Sequence, residues 1–304
     1  MTFYERNDII KLGTDLYVIT GDNQARFPFC NAFLITADET VLIDTGIGVE
    51  KLKEIDREKR IDQVIISHPH PDHIAGWGCL RDRPLMVPKE TGDEIQDLVK
   101  LGHRFTGSRE LGVKWAESVE NFMNIEPVRE PDDRYGNGDI LDFGSVRMEA
   151  VHVPGHLNDH YCFFDHESKT LLTTDIDFTS FGPWYGNPEG QIEPFIDGIL
   201  KVMQFPYDRV CSSHKPPIEE GAADAFDRFL KQFDRHRNLV LDLCRQPSTL
   251  SNMANASPFY LNKLKPTFVQ DLFEKNMIKK NLEMLIRDGL IIHENGYYRK
   301  ANDA

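Results

Sequence analysis

Short apolar runs separated by turn residues dominate the first part of the chain. Residues 16–20, 31–36 and 40–46 predict consecutive β-strands. Residues 49–60 have apolar side chains at helical spacing among charged ones, which predicts a helix, and residues 63–67 predict another strand. This pattern predicts a sheet of sequential strands interrupted by a helix.

The middle of the chain repeats the strand pattern. After a helix-leaning stretch at 89–124, residues 139–153, 160–166 and 170–175 again favour strands, and glycines mark the turns. Residues 192–205 have apolar positions at helical spacing and are followed by a last apolar strand at 208–214. We therefore expect a second sheet, with helices outside both sheets.

The pattern becomes helical from about residue 218. An apolar stripe runs to Leu243 and is stopped by Pro247, and residues 278–286 have a second helical period. Asn295 and Gly296 between two β-rich runs predict a hairpin. Helices that end in a hairpin indicate a winged-helix-like domain at 218–304, after a larger domain at 1–217.

Composition limits the class of protein. A chain of 304 residues with 40% hydrophobic content can bury a full-sized core and still form a smaller second domain. The charged start and the lack of any apolar run near the roughly 18 residues of a membrane span predict a protein without a membrane segment, which we expect in the cytoplasm. The five cysteines are odd in number and contain no CxxC, so reduced thiols are expected.

The net charge of −14 is unevenly distributed. Residues 1–220 carry the acidic excess, whereas residues 221–304 are slightly basic. An acidic main domain argues against a broad nucleic-acid footprint there.

The stretch SHPHPDHIAG at residues 67–76 concentrates metal-ligand side chains. Each proline pushes the preceding residue to extended backbone, so His68 and His70, two residues apart, point to the same side. The adjacent Asp72 and His73 diverge, and they could supply a second metal. Imidazole and carboxylate without thiolate suit Zn²⁺ or Fe.

This HxHxDH loop after a strand resembles the signature of the metallo-β-lactamase-fold superfamily, and later segments extend the resemblance over residues 12–216. VHVPGH offers His156, LLTTD offers Asp175 and VCSSH offers His214. The resemblance implies an α/β fold, an αββα sandwich, and a binuclear metal site. It places one metal on His68, His70 and His156, and a second on Asp72, His73 and His214, with Asp175 bridging both.

Further residues follow from the same resemblance. Asp44, at the end of VLIDTG, resembles the aspartate that orients metal-bound ligands, although a turn or N-cap role is the alternative. Asp177 could be the bridging carboxylate instead of Asp175. Two departures from the common motifs are GHLNDH in place of GHTPGH, where His160 is expected to pack beneath the loop, and Thr174 in place of glycine.

The loop at 181–190 is rich in glycine and proline and overhangs the metals in similar proteins. We expect Trp184 and Tyr185 on this loop to form a wall of the substrate pocket. Ordinary packing of the two rings in the core is the alternative.

The reaction implied is hydrolysis by a water molecule that two divalent cations ionise, with Asp72 orienting it or acting as a general base. The favoured substrate is a small thioester, lactone or related acyl compound. The alternatives are an endoribonuclease or phosphodiesterase, a non-haem iron oxygenase of the same fold, and a metal-bound binding module. The C-terminal region, residues 218–304, could equally serve as a packing module or form a homodimer. The only sequence support for nucleic-acid binding is a set of basic residues in this region: Lys275, Lys279, Lys280, Arg287, Arg299 and Lys300.

Overall fold

Two β-sheets lie face to face in a computed structural model, which describes residues 3–301. The first sheet has seven strands in sequence order, antiparallel up to its fourth strand and parallel from there on. Its strands are β1 (Ile9–Lys11), β2 (Leu16–Ile19), β3 (Ala32–Thr36), β4 (Thr40–Ile43), β5 (Gln63–Ile65), β6 (Leu85–Pro88) and β7 (Asp133–Tyr135).

The second sheet has five strands in the order β12-β11-β10-β9-β8. Only the β11–β12 pair is parallel. The predicted strand at 139–153 is divided in two, because Gly144 turns the chain with a φ of 88°. The strands are β8 (Ile140–Asp142), β9 (Arg147–His152), β10 (Tyr161–Asp165), β11 (Thr170–Thr174) and β12 (Arg209–Ser212).

Helices cover the outer face of each sheet. In chain order they are α1 (Asp22–Ala25), α2 (Val49–Glu58), α3 (Pro71–Ile74), α4 (Leu98–Thr106), α5 (Arg109–Met123), α6 (Ile192–Val202), α7 (Ala222–Leu243), α8 (Leu250–Asn255) and α9 (Thr267–Arg287), and a hairpin of β13 (Ile291–Glu294) and β14 (Tyr297–Lys300) follows. Among residues 3–301, no helix combines the length and apolarity needed to cross a membrane. All five cysteines are unpaired.

Three apolar clusters show the layers of the sandwich. One cluster joins inward side chains of both sheets, such as Phe33 and Phe163. A second joins the outer face of the first sheet to α2, α4 and α5, and a third joins the outer face of the second sheet to α6–α9. This confirms the predicted αββα sandwich with a helical C-terminal region. Because α7–α9 share their core with the second sheet, a domain boundary at 217/218 and a winged-helix assignment stay predictions.

Candidate metal centre

The proline-flanked loop after β5 changes direction at the centre. His70 has the extended backbone favoured before a proline, with φ −61° and ψ 148°. Pro71 then begins the short helix α3, and the amide of His73 donates to the carbonyl of His70 at 3.0 Å. The switch from extended to helical backbone makes the side chains of Asp72 and His73 leave the chain in different directions.

Three imidazoles and one carboxylate oxygen form a first compact group. His70 Nδ1 lies 3.1 Å from His68 Nε2 and 2.8 Å from His156 Nε2. Asp175 Oδ2 lies 3.5 Å from His68 Nε2 and 3.2 Å from His156 Nε2. A tetrahedral shell with zinc–nitrogen bonds of about 2.0–2.1 Å has edges of about 3.3 Å. The four atoms therefore have the mutual spacing of a tetrahedral metal shell.

A second group lies on the other side of Asp175. His214 Nε2 lies 3.3 Å from Asp72 Oδ2, and His73 Nε2 lies 2.9 Å from Asp175 Oδ1. Asp175 Oδ1 also lies 3.7 Å from His214 Nε2. The two oxygens of Asp175 thus face different groups, as a bridging carboxylate requires. All the side chains predicted as metal ligands are brought together in this way.

Asp44 lies behind two of these imidazoles. It is fully buried, and its Oδ2 accepts from His73 Nδ1 at 2.8 Å and from the Ser67 hydroxyl at 2.7 Å, while its Oδ1 accepts from the Ser67 amide at 2.8 Å. Because the Ser67 hydroxyl donates to Asp44, it accepts from His68 Nδ1 at 3.0 Å. Both rings then carry a proton on Nδ1, and their Nε2 atoms face the centre.

Backbone carbonyls fix two more imidazoles in the same way. His156 Nδ1 donates to the carbonyl of Trp184 at 2.8 Å, and His214 Nδ1 donates to the carbonyl of Ala25 at 2.7 Å. A carbonyl can only accept, so the outer nitrogen of each ring carries the proton. The inner Nε2 of each ring is therefore the nitrogen that faces the centre.

Two buried polar atoms of the centre lack a hydrogen bond within residues 3–301. His73 Nε2 and Asp175 Oδ1 lie 2.9 Å apart, yet neither has a hydrogen-bond partner. Buried polar atoms without partners cost free energy, and a cation between these two would satisfy both. Nitrogen and oxygen donors suit Zn²⁺ or Fe. The residues present therefore fit a pair of divalent ions.

Burial and neighbouring charges set the protonation of the ligand-type side chains. Burial lowers the pKa of His68 and of His70 well below the ordinary value of 6.5, so both rings are neutral at neutral pH. Burial by itself would raise the pKa of Asp175, but the charge of His73 and the contact with His68 outweigh it and lower that pKa well below 3.8. Burial by itself would lower the pKa of His73 and of His214, but neighbouring carboxylates, chiefly Asp175 and Asp177, outweigh it; the pKa of His73 is raised well above 6.5 and that of His214 to about 10. A metal ion bound by these two rings would therefore displace a proton from each of them.

Comparison with known families agrees with this geometry. Residues 25–214, more than half of the chain, match the family model of the Metallo-beta-lactamase superfamily. The chain belongs to this superfamily. With its two groups of ligand-type side chains, it is a hydrolase of the metallo-beta-lactamase superfamily whose centre fits two metal ions.

Individual relatives are distant. The hydroxyacylglutathione hydrolase of Francisella philomiragia is 19% identical over 227 residues, which are 72% of this chain and 73% of that protein. The atrochrysone carboxyl ACP thioesterase of Aspergillus terreus is 23% identical over 178 residues, which are 56% of this chain but only 46% of that protein. A crystal structure of a metallo-beta-lactamase family protein from Thermus thermophilus superposes with a TM-score of 0.71 at 18% identity, and covers 96% of this chain and 100% of that one.

The departures from the common superfamily motifs have local causes. His160 is fully buried beneath the centre; its Nδ1 donates to the carbonyl of Val153 at 2.9 Å, and its Nε2 accepts from the amide of Asp175 at 3.3 Å. Burial lowers the pKa of His160 to about 3. Thr174 has a φ of 44°, a region that favours glycine, and its hydroxyl donates to the carbonyl of Tyr161 at 2.7 Å. His160 thus supports the backbone of Asp175 and belongs to neither ligand group.

Only one of the two predicted pocket rings reaches the centre. The ring of Trp184 lies 5.1 Å from that of His70 and 5.6 Å from that of His156. Tyr185, by contrast, is fully buried and stacks on Phe233 of α7 at 5.9 Å. The prediction for Tyr185 was wrong, because adjacent loop residues point in opposite directions and its ring fills the core against the C-terminal helices.

The alternative carboxylate, Asp177, lies beside the second group only. It can share a cation with Asp175 and His214, but it does not contact the three imidazoles of the first group. Burial raises the pKa of Asp177 to about 7. Asp175 is therefore the carboxylate placed to bridge.

Two residues that support the surroundings of the centre, Asn187 and Arg104, were not predicted from the sequence. Asn187 is buried, and its side-chain amide lies 2.9 Å from His70 Nε2. Arg104 of α4 donates to both carboxylate oxygens of the buried Asp159, at 3.0 and 2.7 Å, and also to Glu189. Arg104 thus ties the unusual Asp159 of GHLNDH to the loop that carries Asn187. The sequence contains no local signal for either contact.

Proposed function

We propose that this protein is a binuclear metal-dependent hydrolase of a small ester-like substrate, meaning a thioester, a lactone or a related acyl compound. The observation that carries the proposal is the pair of ligand groups that share Asp175. The outer nitrogens of four of their imidazoles donate to acceptors behind the centre; the four are those of His68, His73, His156 and His214. The curated relatives named hydroxyacylglutathione hydrolase and atrochrysone carboxyl ACP thioesterase favour acyl chemistry.

His68, His70 and His156 would hold one ion, Asp72, His73 and His214 the other, and Asp175 both. We propose Zn²⁺, with Fe as the alternative, because imidazole and carboxylate ligands suit either metal. Two such ions lower the pKa of a water molecule from near 16 to about 7 and polarise a substrate carbonyl.

The side chains of the centre have separate tasks in this proposal. Asp72 is almost fully buried, and its carboxylate can accept a proton or hold the attacking water in line. Asp44 and Ser67 accept from Nδ1 of His73 and His68, so that Nε2 of each ring is turned towards the centre. Trp184 offers an apolar surface beside His70, where the acyl part of a substrate would pack.

The contacts of the basic tail residues weigh against nucleic acid as the substrate. Lys275 pairs with Asp271, Lys279 with Glu283, and Arg287 with Glu193. Side chains already paired within the chain contribute less to a phosphate-binding surface.

The deciding experiment is elemental analysis of protein purified without added metal, followed by a panel of thioester, lactone, phosphodiester and RNA substrates. We expect about two zinc ions per chain and hydrolysis of an acyl substrate. Iron with oxygen consumption would instead indicate an oxygenase, and salt-sensitive RNA cleavage would indicate a nuclease.

The matched variants are His68→Ala, which removes a ligand-type side chain, and His166→Ala, which removes an exposed imidazole that pairs with Glu149 and belongs to neither ligand group. We expect His68→Ala to lose bound metal and acyl hydrolysis together. Full activity of metal-free His68→Ala protein would overturn the proposal.

A further inference from the structure

One face of α9 holds a segment beside the centre through its backbone. The segment is residues 184–187. Asn276 Nδ2 donates to the carbonyl of Gly186 at 2.7 Å, and Lys280 Nζ donates to the carbonyl of Tyr185 at 2.8 Å and to that of Asn187. Asn276 and Lys280 are one helical turn apart, so they lie on the same face of α9. Three consecutive carbonyls of a loop thus receive donors from a single helix.

The 184–187 segment also contacts two imidazoles of the first ligand group. The carbonyl of Trp184 accepts from His156 Nδ1 at 2.8 Å. At its other end, Nδ2 of the buried Asn187 lies 2.9 Å from His70 Nε2. Both ends of the segment therefore touch the outer nitrogen of an imidazole whose inner nitrogen faces the centre.

The chemistry of His70 defines what Asn187 must do. The nitrogen of His70 that faces the centre is Nδ1. If His70 binds a metal through Nδ1, its ring carries a proton on Nε2, and that proton needs an acceptor. An amide exchanges its oxygen and nitrogen by a half-turn of the side chain, so Asn187 can present Oδ1 to this proton. Asn187 then completes for His70 what Asp44 does for His73.

We propose that α9 positions the first metal group through the 184–187 segment, with Asn187, Asn276 and Lys280 as positioning residues. The C-terminal region would then set the metal affinity of the centre without supplying a ligand. The inference rests on the metal-binding role of His70 and His156 within the proposed function, but not on the identity of the substrate.

The test is zinc binding by the full-length, metal-stripped protein, measured by competition with a chromophoric chelator and without substrate. Asn187→Leu keeps the size of the side chain but removes the acceptor, and we expect one of the two zinc dissociation constants to rise about 10-fold. Asn187→Asp keeps an acceptor oxygen and should bind zinc within about threefold of the wild type. Equal zinc affinity of Asn187→Leu and the wild type would overturn the role of Asn187.

The contribution of α9 is tested by Lys280→Met against the matched control Lys279→Met. Lys279 is the neighbouring residue, is exposed, and pairs only with Glu283 of its own helix among the salt bridges of residues 3–301. We expect Lys280→Met to weaken zinc binding by roughly 3–10-fold, and Lys279→Met to leave it unchanged. Identical zinc constants for the two methionine variants would contradict the proposal.

Thermal unfolding distinguishes a positioning role of α9 from a role in stabilising the fold. If Lys280→Met does not fold, Asn276→Ala decides, because it removes one donor and keeps both contacts of Lys280. A lower melting temperature with unchanged zinc constants would mean that α9 only stabilises the fold. Zinc binding is measured directly, without substrate. A protein that binds two zinc ions but hydrolyses no acyl substrate would therefore refute the proposed substrate class, and its zinc constants would still test the positioning role of α9.

Discussion

Two residues with left-handed backbone stand where strands deliver carboxylates to the centre. Asp44 follows β4 with a φ of 65°, and Thr174 ends β11 with a φ of 44°, directly before Asp175. Such conformations cost roughly 1–2 kcal/mol for a residue other than glycine, so surrounding contacts must hold them. Asp44 accepts three hydrogen bonds, and Thr174 donates one across the sheet. At both positions, backbone strain aims a carboxylate away from the strand and towards the centre.

Asp44→Asn tests this arrangement at residue scale. Asparagine tolerates the left-handed backbone, but its amide has one acceptor oxygen where the carboxylate has two. His73 or Ser67 then loses an acceptor, and we expect zinc affinity to fall by about 10–100-fold in chelator competition. The control is Asp62→Asn, because Asp62 accepts from the amide of Thr40 at the opposite end of β4. Unchanged zinc affinity in Asp44→Asn would show that Asp44 does not orient the ligands.

Trp184→Ala tests the remaining pocket prediction. Its ring lies beside His70, whereas its carbonyl, which holds His156, is retained in the variant. We expect the KM for an acyl substrate to rise at least about tenfold, with bound zinc unchanged, because an apolar contact surface is lost. In Tyr185→Phe, which removes a buried hydroxyl that contacts His236 and Asn281, the KM should stay the same. A KM unaffected by Trp184→Ala would exclude the ring from the substrate pocket.

At the scale of elements, the loop after β4 packs tightly against the loop that carries the ligands. A Cβ added to Gly46 would lie 1.4 Å from the backbone carbonyl oxygen of Asp72, which cannot move aside as a flexible side chain can. We expect Gly46→Ala to lower the free energy of unfolding by more than about 3 kcal/mol and to weaken zinc binding. Urea unfolding and zinc titration measure the two effects.

Gly221→Ala is the control for that substitution. Gly221 has a φ of 74° but open space around the added Cβ, so only the backbone cost of roughly 1–2 kcal/mol is expected. If both alanine variants lost equal stability, the close approach of Gly46 to Asp72 would not be important.

Local sequence patterns determine how much of the fold and of the metal centre could be predicted. The predicted ligands of the HxHxDH loop lie within six positions and form a local motif. His156, Asp175 and His214 were predicted through the resemblance to the superfamily, whose later motifs each follow an apolar strand. Asn187 and His70 are 117 residues apart, and Arg104 and Asp159 are 55 apart. Such pairs form only through tertiary packing, and neither partner stands in a distinctive local pattern. The strand β7 was missed for another reason, since two of its three residues are exposed and polar.

At the scale of the whole molecule, the C-terminal helices and the second sheet share one core. Phe226, Phe229 and Phe233 of α7 belong to the same apolar cluster as Phe164 of β10 and Phe195 of α6. Large aromatic side chains contribute much of the free energy of burial, so residues 1–217 alone would expose a wide apolar face. Tyr185 packs in the same apolar cluster, and it also belongs to the 184–187 segment that α9 holds. Stability and the geometry of the centre are therefore coupled across this interface.

A buried histidine in that interface predicts how stability depends on pH. His236 of α7 donates from Nε2 to the carbonyl of Phe181 at 3.0 Å, and its Nδ1 lies 3.1 Å from the hydroxyl of Tyr185, which accepts from Asn281 at 3.0 Å. Burial lowers the pKa of His236 from 6.5 to about 4, and the charge of Arg235 acts in the same direction. The unfolded chain then binds a proton more readily than the folded one between these two values.

The stabilising contribution of neutral His236 is therefore complete above about pH 6.5 and is lost as the pH falls towards about 4, with a total of up to about 3 kcal/mol. His236→Gln removes this titration and leaves every other histidine in place. We expect the difference in unfolding free energy between wild type and variant, measured in urea, to shrink as the pH is lowered through this range. A difference that stayed constant with pH would mean that His236 takes up its proton in the folded interface as easily as in the unfolded chain, and that the contact between α7 and the 184–187 segment tolerates a buried charge.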